Sequence, residues 1–438
     1  MINQQTPNQS ATLKSESPST SADDVPAAPA SDEASTSDSI AKNAGDETNS
    51  ASNASVAESQ SSSYAGKTEV LFTDGAPVII TEGDQGWPSF RGNPNATGVA
   101  TDAFPNPDEL QVIWKHQIPR GEISSTPCIV DLNGRPVAIV GDLDGLILAL
   151  DLNSGEEIWT FKIKFGYACS VAWFNEHFYV GNIDGVFLCL DANGEKVWEF
   201  QAGMEIDGSA TYYAPRNWCL FTSQDGNLYA LDANTGEKAW EILSGDQLRC
   251  APTIVAGQAF LAGCDAVLHV IDLESQTEKA GVEIDSPTGC TPAVLGDHIF
   301  FGSEQAGFLA INWKTAERSW QYTDNDTVVT FHGNASITSD RVVVGDTQRR
   351  VHSLDPQTGQ QQWATALRAG MESSPVVSGQ YVYVTALDGR LYALNLADGE
   401  IVWQKEFNGQ FKSSPAIGYS RMIVASDDGA IYCLGSGK

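Results

Sequence analysis

A tryptophan returns along this chain at a nearly constant interval. Trp114, Trp159, Trp198, Trp240, Trp320, Trp363 and Trp403 fall in one frame, with Ala280 in the slot between Trp240 and Trp320. The spacings are 45, 39, 42, 40, 40, 43 and 40 residues. Repetition on this scale outranks local propensity, because a unit that cannot bury both of its faces must stack on its neighbours. One copy reads SSPVVSGQYVYVTALDGRLYALNLADGEIVWQKEF, residues 373–407, and others occupy 169–200 and 208–242. Each has a small-small-Pro start, an apolar run, a turn, an alternating run, Asp-Gly, a Leu-Tyr-Ala-Leu-Asp stretch, Thr-Gly and a Trp. That is four short strands and three turns, and four strands per ~40 residues is a propeller blade.

Eight slots predict an all-β, eight-bladed β-propeller of four-stranded antiparallel blades over residues 110–438. Trp114 precedes the first complete repeat, in Gln111-Val112-Ile113-Trp114-Lys115, and the last repeat ends without its Trp strand. The two incomplete ends predict closure by pairing strand 110–118 with the C-terminal strands. Closure also removes the open edge on which other chains could pair.

The repeats resemble the pyrroloquinoline-quinone-like repeat family. The residues that carry the likeness are Ala393-Leu394-Asn395 with Gly399 and Trp403, Ala230-Leu231-Asp232 with Thr235, Gly236 and Trp240, and Ala149-Leu150-Asp151 with Ser154, Gly155 and Trp159. The Trp-Asp dipeptide of WD-type blades is absent at this strand end. The stretch Trp87–Gly92 is similar to the start of propeller proteins abundant in planctomycete-type bacteria. The resemblance implies two branches. The BamB-like branch contains non-enzymatic scaffolds of outer-membrane protein assembly, usually periplasmic or in the cell envelope. The other contains quinoprotein dehydrogenases, which carry an adjacent Cys-Cys pair and calcium ligands. The eight cysteines here include no adjacent pair, and no calcium set falls on matching positions. The expectation is therefore a scaffold with a protein or peptide partner, no cofactor and no catalytic or metal-binding residues. A quinone- and calcium-dependent dehydrogenase and a small-ligand sensor are the alternatives.

Composition bears on partners. The formal net charge is −31, which repels phosphate backbones and anionic lipid surfaces, so nucleic acid is not an expected partner. No run reaches the ~20 apolar residues of a membrane helix. The start, MINQQTPNQSATLKSESPST, lacks the basic-then-apolar order of a secretory signal. As written it predicts a cytoplasmic, monomeric protein, against the envelope setting that the resemblance implies. Residues 1–66 are rich in Ser, Ala, Asp, Glu and Thr and nearly free of large apolar side chains, which predicts a disordered acidic tail. Residues 67–109 form a lead-in, with a possible hairpin about Asp74-Gly75.

The candidate site is the mouth of the channel, where each innermost strand begins. Aligning the repeats on their Pro gives a ring of Ser125, Cys169, Gly208, Cys250, Cys290, Gly333, Ser373 and Ser413, read as small side chains where strands converge. One residue earlier the ring is polar: Ser124, Ala168, Asp207, Arg249, Gly289, His332, Glu372 and Lys412. The expected partner-binding residues are Asp207, Arg249, His332, Glu372 and Lys412, with Glu122, Tyr167 and Phe411 near the same mouth; exposed Arg, Tyr and Phe are types that interfaces favour. The repeated Asp-Gly pairs are read as hairpin turns rather than calcium loops, and the seven tryptophans as inter-blade packing.

Overall fold

The computed structural model describes residues 68–71, 78–81, 86–324 and 329–437. The expectation for residues 1–66 lies outside them. Thr68–Leu71 and Val78–Thr81 pair antiparallel. From Cys128 onward, each repeat folds as one antiparallel four-stranded meander, numbered here as blades 1 to 8. Blade 1 comprises Cys128–Leu132, Arg135–Gly141, Leu146–Asp151 and Glu157–Lys162. Blade 7 comprises Val376–Ser378, Tyr381–Thr385, Arg390–Asn395 and Ile401–Glu406. Blade 8 is completed from the other end of the chain. Leu110–Gln117 pairs with Ala430–Ser436, from Ala430↔Gln117 to Ser436↔Leu110. The chain is thus an eight-bladed propeller closed by its own first and last strands.

The core lies between blades rather than within them, because each pleated sheet presents apolar side chains on both faces. Ile139 and Ile147 of blade 1 share one buried cluster with Phe178, Val180 and Leu188 of blade 2. At the outer edge the tryptophans bridge successive blades. Trp114 of blade 8 donates its indole N–H to Leu152 O of blade 1 at 2.9 Å. Trp159, Trp198, Trp320 and Trp363 make the equivalent bond to the following blade at 2.9–3.2 Å. Each ring lies flat on the turn glycine of that blade. A Cβ on Gly155, where φ is +73°, would stand 2.6 Å from Trp114 Cδ2. The Thr-Gly of the repeat is therefore a backbone seat for the Trp of the preceding blade. Where the slot holds Ala280, Trp313 from the next blade's turn packs into the same cluster, 5.6 Å from Phe260. Large and small have exchanged sides of the interface.

The lead-in does something the repeat pattern gave no reason to expect: it fills the channel. Trp87 exchanges two backbone bonds with Ile129 of blade 1, at 2.8 and 2.9 Å. Pro88 O accepts from Trp173 N–H of blade 2 at 2.7 Å, and Asn95 O from Val294 N–H of blade 5 at 2.9 Å. Thr97 O takes Ile337 N–H of blade 6 at 2.8 Å, and Gly98 O takes Val377 N–H of blade 7 at 3.0 Å. Val99–Ala100 then adds a parallel strand to blade 7, and Asp102 accepts Tyr419 N–H of blade 8 at 2.5 Å. The segment enters and leaves beside the first turns of blades 7 and 8, and between these ends it rises to Phe90 under the opposite mouth.

Arg91 is the pin of this loop. It is 1% exposed, and its Nη2 donates to Ala335 O at 2.9 Å, Ser336 Oγ at 3.0 Å and Pro375 O at 2.7 Å. These bonds join blades 6 and 7. No carboxylate faces it within ion-pairing distance among the described residues. Burial pulls its guanidinium down to about 9, so at neutral pH a charge is held inside the ring by neutral acceptors alone.

Candidate functional site

With the channel filled from one side, what remains at the mouth is a blind cup of about 200 Å³. Phe90 lines its base. Its wall carries Asp207, Arg249, Glu372 and Lys412, with Ser124, Ala168 and Gly289 at the equivalent positions of other blades. Four of the expected charged residues therefore meet around one cavity. Lys412 also holds Glu122 at 3.0 Å, and that contact, ahead of other causes, keeps its ammonium above the usual lysine value. Asp207 and Glu205 share the Gln224 side-chain amide, at 2.7 and 3.1 Å. Burial, then the neighbouring Asp207, holds the Glu205 carboxyl above the ordinary range. Arg249 bonds Gln247 at 3.1 Å. His332 is exposed at the same level of blade 6 but is not among the residues lining the cup.

Tyr167 and Phe411 lie elsewhere than the sequence placed them. Both are 0% exposed. The polypeptide turns inward just before each innermost strand, and a large apolar side chain at that turn inserts between blades. Tyr167 packs with Ile139 and Phe178, and Phe411 with Ile423 and Tyr432. Neither can be an exposed contact, and Met371, at 1%, takes the same kind of place.

Four of the ring of small residues tie their own blade together, whereas Cys290 Sγ reaches Phe331 O at the start of the next blade at 3.3 Å. Ser125, Ser373 and Ser413 each donate a hydroxyl to the end of the next strand, at Gly141, Thr385 and Ala425 O, over 2.7–2.8 Å. Cys169 makes the equivalent contact to Gly181 O at 3.3 Å. Burial pushes the thiols of Cys169 and Cys250 up to about 12, and that of Cys290 up to about 11. No group of three or more metal-ligating side chains converges among the described residues. The Asp-Gly pairs sit in tight turns. In blade 1, Asp142 Oδ1 accepts from the Asp144 and Leu146 backbone N–H groups at 3.0 and 2.7 Å, while Gly145 takes φ +89°.

Below the charged rim lies a feature that sequence reasoning missed. Ser170, Ser209, Thr291, Ser374 and Ser414 line the cup. Each hydroxyl oxygen accepts one backbone N–H from the preceding blade, at 2.8–2.9 Å. The signal was present in the second Ser of Ser-Ser-Pro, whose recurrence has a hydrogen-bonding reason as well as a steric one. Phe90 carried no such signal, because it lies outside the repeats.

A family model described as outer membrane protein assembly factor BamB matches residues 143–274, 265–376 and 350–436. Outer membrane protein assembly factor BamB of Shewanella oneidensis is 24% identical over 224 residues, covering 47% of this chain and 54% of that protein. Quinohemoprotein alcohol dehydrogenase ADH IIB of Pseudomonas putida is 26% identical over 219 residues, covering 40% of this chain and 30% of that one. The chain thus spans about half or less of the length of these relatives. Among solved structures, a europium-containing methanol dehydrogenase superposes with a TM-score of 0.66 at 11% identity, covering 80% of this chain and 98% of that chain. At that identity the likeness is one of fold alone.

Proposed function

Since the chain belongs to the repeat family described as outer membrane protein assembly factor BamB, matched across residues 143–436, we propose that it is a non-enzymatic propeller scaffold. Its cup-bearing face holds a protein or peptide partner, in a cell-envelope setting like the one named for those relatives. The family match carries this reading. It is supported by the placement of Asp207, Arg249, Glu372 and Lys412 around one opening, on a frame where turns vary while strands hold them in place. Mixed charges of this kind set association rate and partner choice more than lifetime.

The test is capture of the native partner by the Arg249→Glu, Lys412→Glu double variant. Both side chains reach solvent, so folding is retained, while capture falls and the loss is greatest at low salt. A folded double variant that captures its partner like the parent would move the site off this face. The likeness to a quinohemoprotein dehydrogenase favours a second, redox reading. Reconstitution with pyrroloquinoline quinone and Ca²⁺ is expected to give no dye-linked alcohol oxidation, and stoichiometric quinone uptake with turnover would replace the scaffold reading.

A further inference from the structure

The cup has a chemistry of its own, built from two of the rim charges and the hydroxyl belt beneath them. We propose that it binds a small dipolar molecule of the α-amino acid class, with the carboxylate toward Arg249 and the ammonium toward Glu372. This goes beyond the scaffold reading and does not depend on it.

The charges of the lining point to such a ligand. They number two of each sign, Asp207 and Glu372 against Arg249 and Lys412. A simple anion gains at Arg249 what it loses at Glu372, and a simple cation the reverse. A molecule carrying both charges on one short frame gains at both. Lys412 is engaged by Glu122 and Asp207 by Gln224, whereas Arg249 makes its side-chain hydrogen bond to the neutral Gln247 amide and feels Glu205 only from beyond ion-pairing distance. Glu372 likewise makes no ion pair within 4.0 Å among the described residues, and acts on Lys412 only from farther away. The available pair thus sits on blades 4 and 7, across the mouth rather than side by side.

The hydroxyl belt supplies the second observation. A hydroxyl has one donor and two acceptor lone pairs. Ser170, Ser209, Thr291, Ser374 and Ser414 each spend a lone pair on the preceding blade's N–H. Each keeps its own O–H, and all five are 2–4% exposed while lining the cup. A ring of such hydroxyls around one cavity can donate to oxygen acceptors placed inside it. The volume of about 200 Å³ equals on the order of six waters. That admits an amino acid and leaves Phe90 to meet its side chain.

The experiment is calorimetric titration of the full-length protein with L-alanine, acetate and ethylammonium as separate probes. L-Alanine is expected to bind saturably, at least roughly tenfold more tightly than either single-charge probe, as two charge-assisted contacts require. Arg249→Gln and Glu372→Gln should each weaken alanine binding by on the order of tenfold, with the melting temperature unchanged. No saturable alanine binding below about 10 mM overturns the proposal. So does acetate or ethylammonium binding as well as alanine, or alanine binding that both variants leave intact. Partner capture is read in a different assay, so failure here leaves the scaffold reading standing.

Discussion

The ring's seam can be tested with two tryptophans that share one slot of the repeat but not one environment. Trp114 closes blade 8 onto blade 1. It is 9% exposed, donates to Leu152 O at 2.9 Å, and covers Gly155 so closely that a Cβ there would sit 2.6 Å away. Trp403 occupies the corresponding position of blade 7 and is only half-buried. Trp114→Ala removes a buried indole and leaves a cavity against a backbone that cannot collapse into it, a loss of about 3–5 kcal/mol. The Leu152 carbonyl, left with only the weak Cys433 Sγ contact at 3.7 Å, adds up to about 1 kcal/mol. Trp403→Ala gives up about half the apolar burial and, among the described residues, no indole bond into the neighbouring blade, a loss of about 1–2 kcal/mol. Urea unfolding followed by tryptophan-independent circular dichroism reads both as shifts in midpoint at constant slope. The expected order is a much larger shift for Trp114. Equal shifts, or a larger one for Trp403, would mean that the terminal strand is not what closes the ring.

Two further outcomes follow from burial. Arg91→Ala should cost about 2–5 kcal/mol, since it empties the centre of the channel loop and strips three acceptors. Arg91→Met should cost clearly less, because it keeps volume while removing an uncompensated buried charge; thermal melts that rank the two the other way would refute this account of the loop. Seven of the eight cysteines are buried and Cys264 is half-buried, with burial the leading cause that raises each thiol above its usual value. Brief alkylation at pH 8 followed by mass mapping should label Cys264 first, and prior labelling of Cys169 or Cys290 would contradict the packing described for the mouth.

The ring was legible because its information is periodic. Trp, Gly and Asp-Gly recur at fixed offsets, and the missing eighth Trp strand at one end matched the surplus strand at the other. The charged mouth was legible for the same reason, since aligning the Pro places Asp207, Arg249, Glu372 and Lys412 at one level. Tyr167 and Phe411 were misplaced because an alignment gives height along the channel but not the direction in which a side chain points. The channel loop escaped because Trp87, Phe90 and Arg91 occur once, and a residue outside the repeat inherits nothing from it. The exchange of Ala280 for Trp313 shows the remaining limit: a slot can be filled from the opposite side, and a single sequence read by position registers only the gap.

The channel loop also fixes an order of events during synthesis. Trp87 and Arg91 are made before any blade is complete, yet Arg91 is bonded to Pro375, 284 positions later, and Asp102 to Tyr419, 317 positions later. Contacts of such sequence separation form slowly, because a long stretch of chain must be brought together before they reward it. While the first blades emerge, the loop has no channel to fill, and its tryptophan and arginine stay accessible until blades 6 to 8 exist. A nascent chain stalled before residue 375 would therefore present the segment in a form open to chaperones and proteases, and completion of the ring would withdraw it in one step with strand closure.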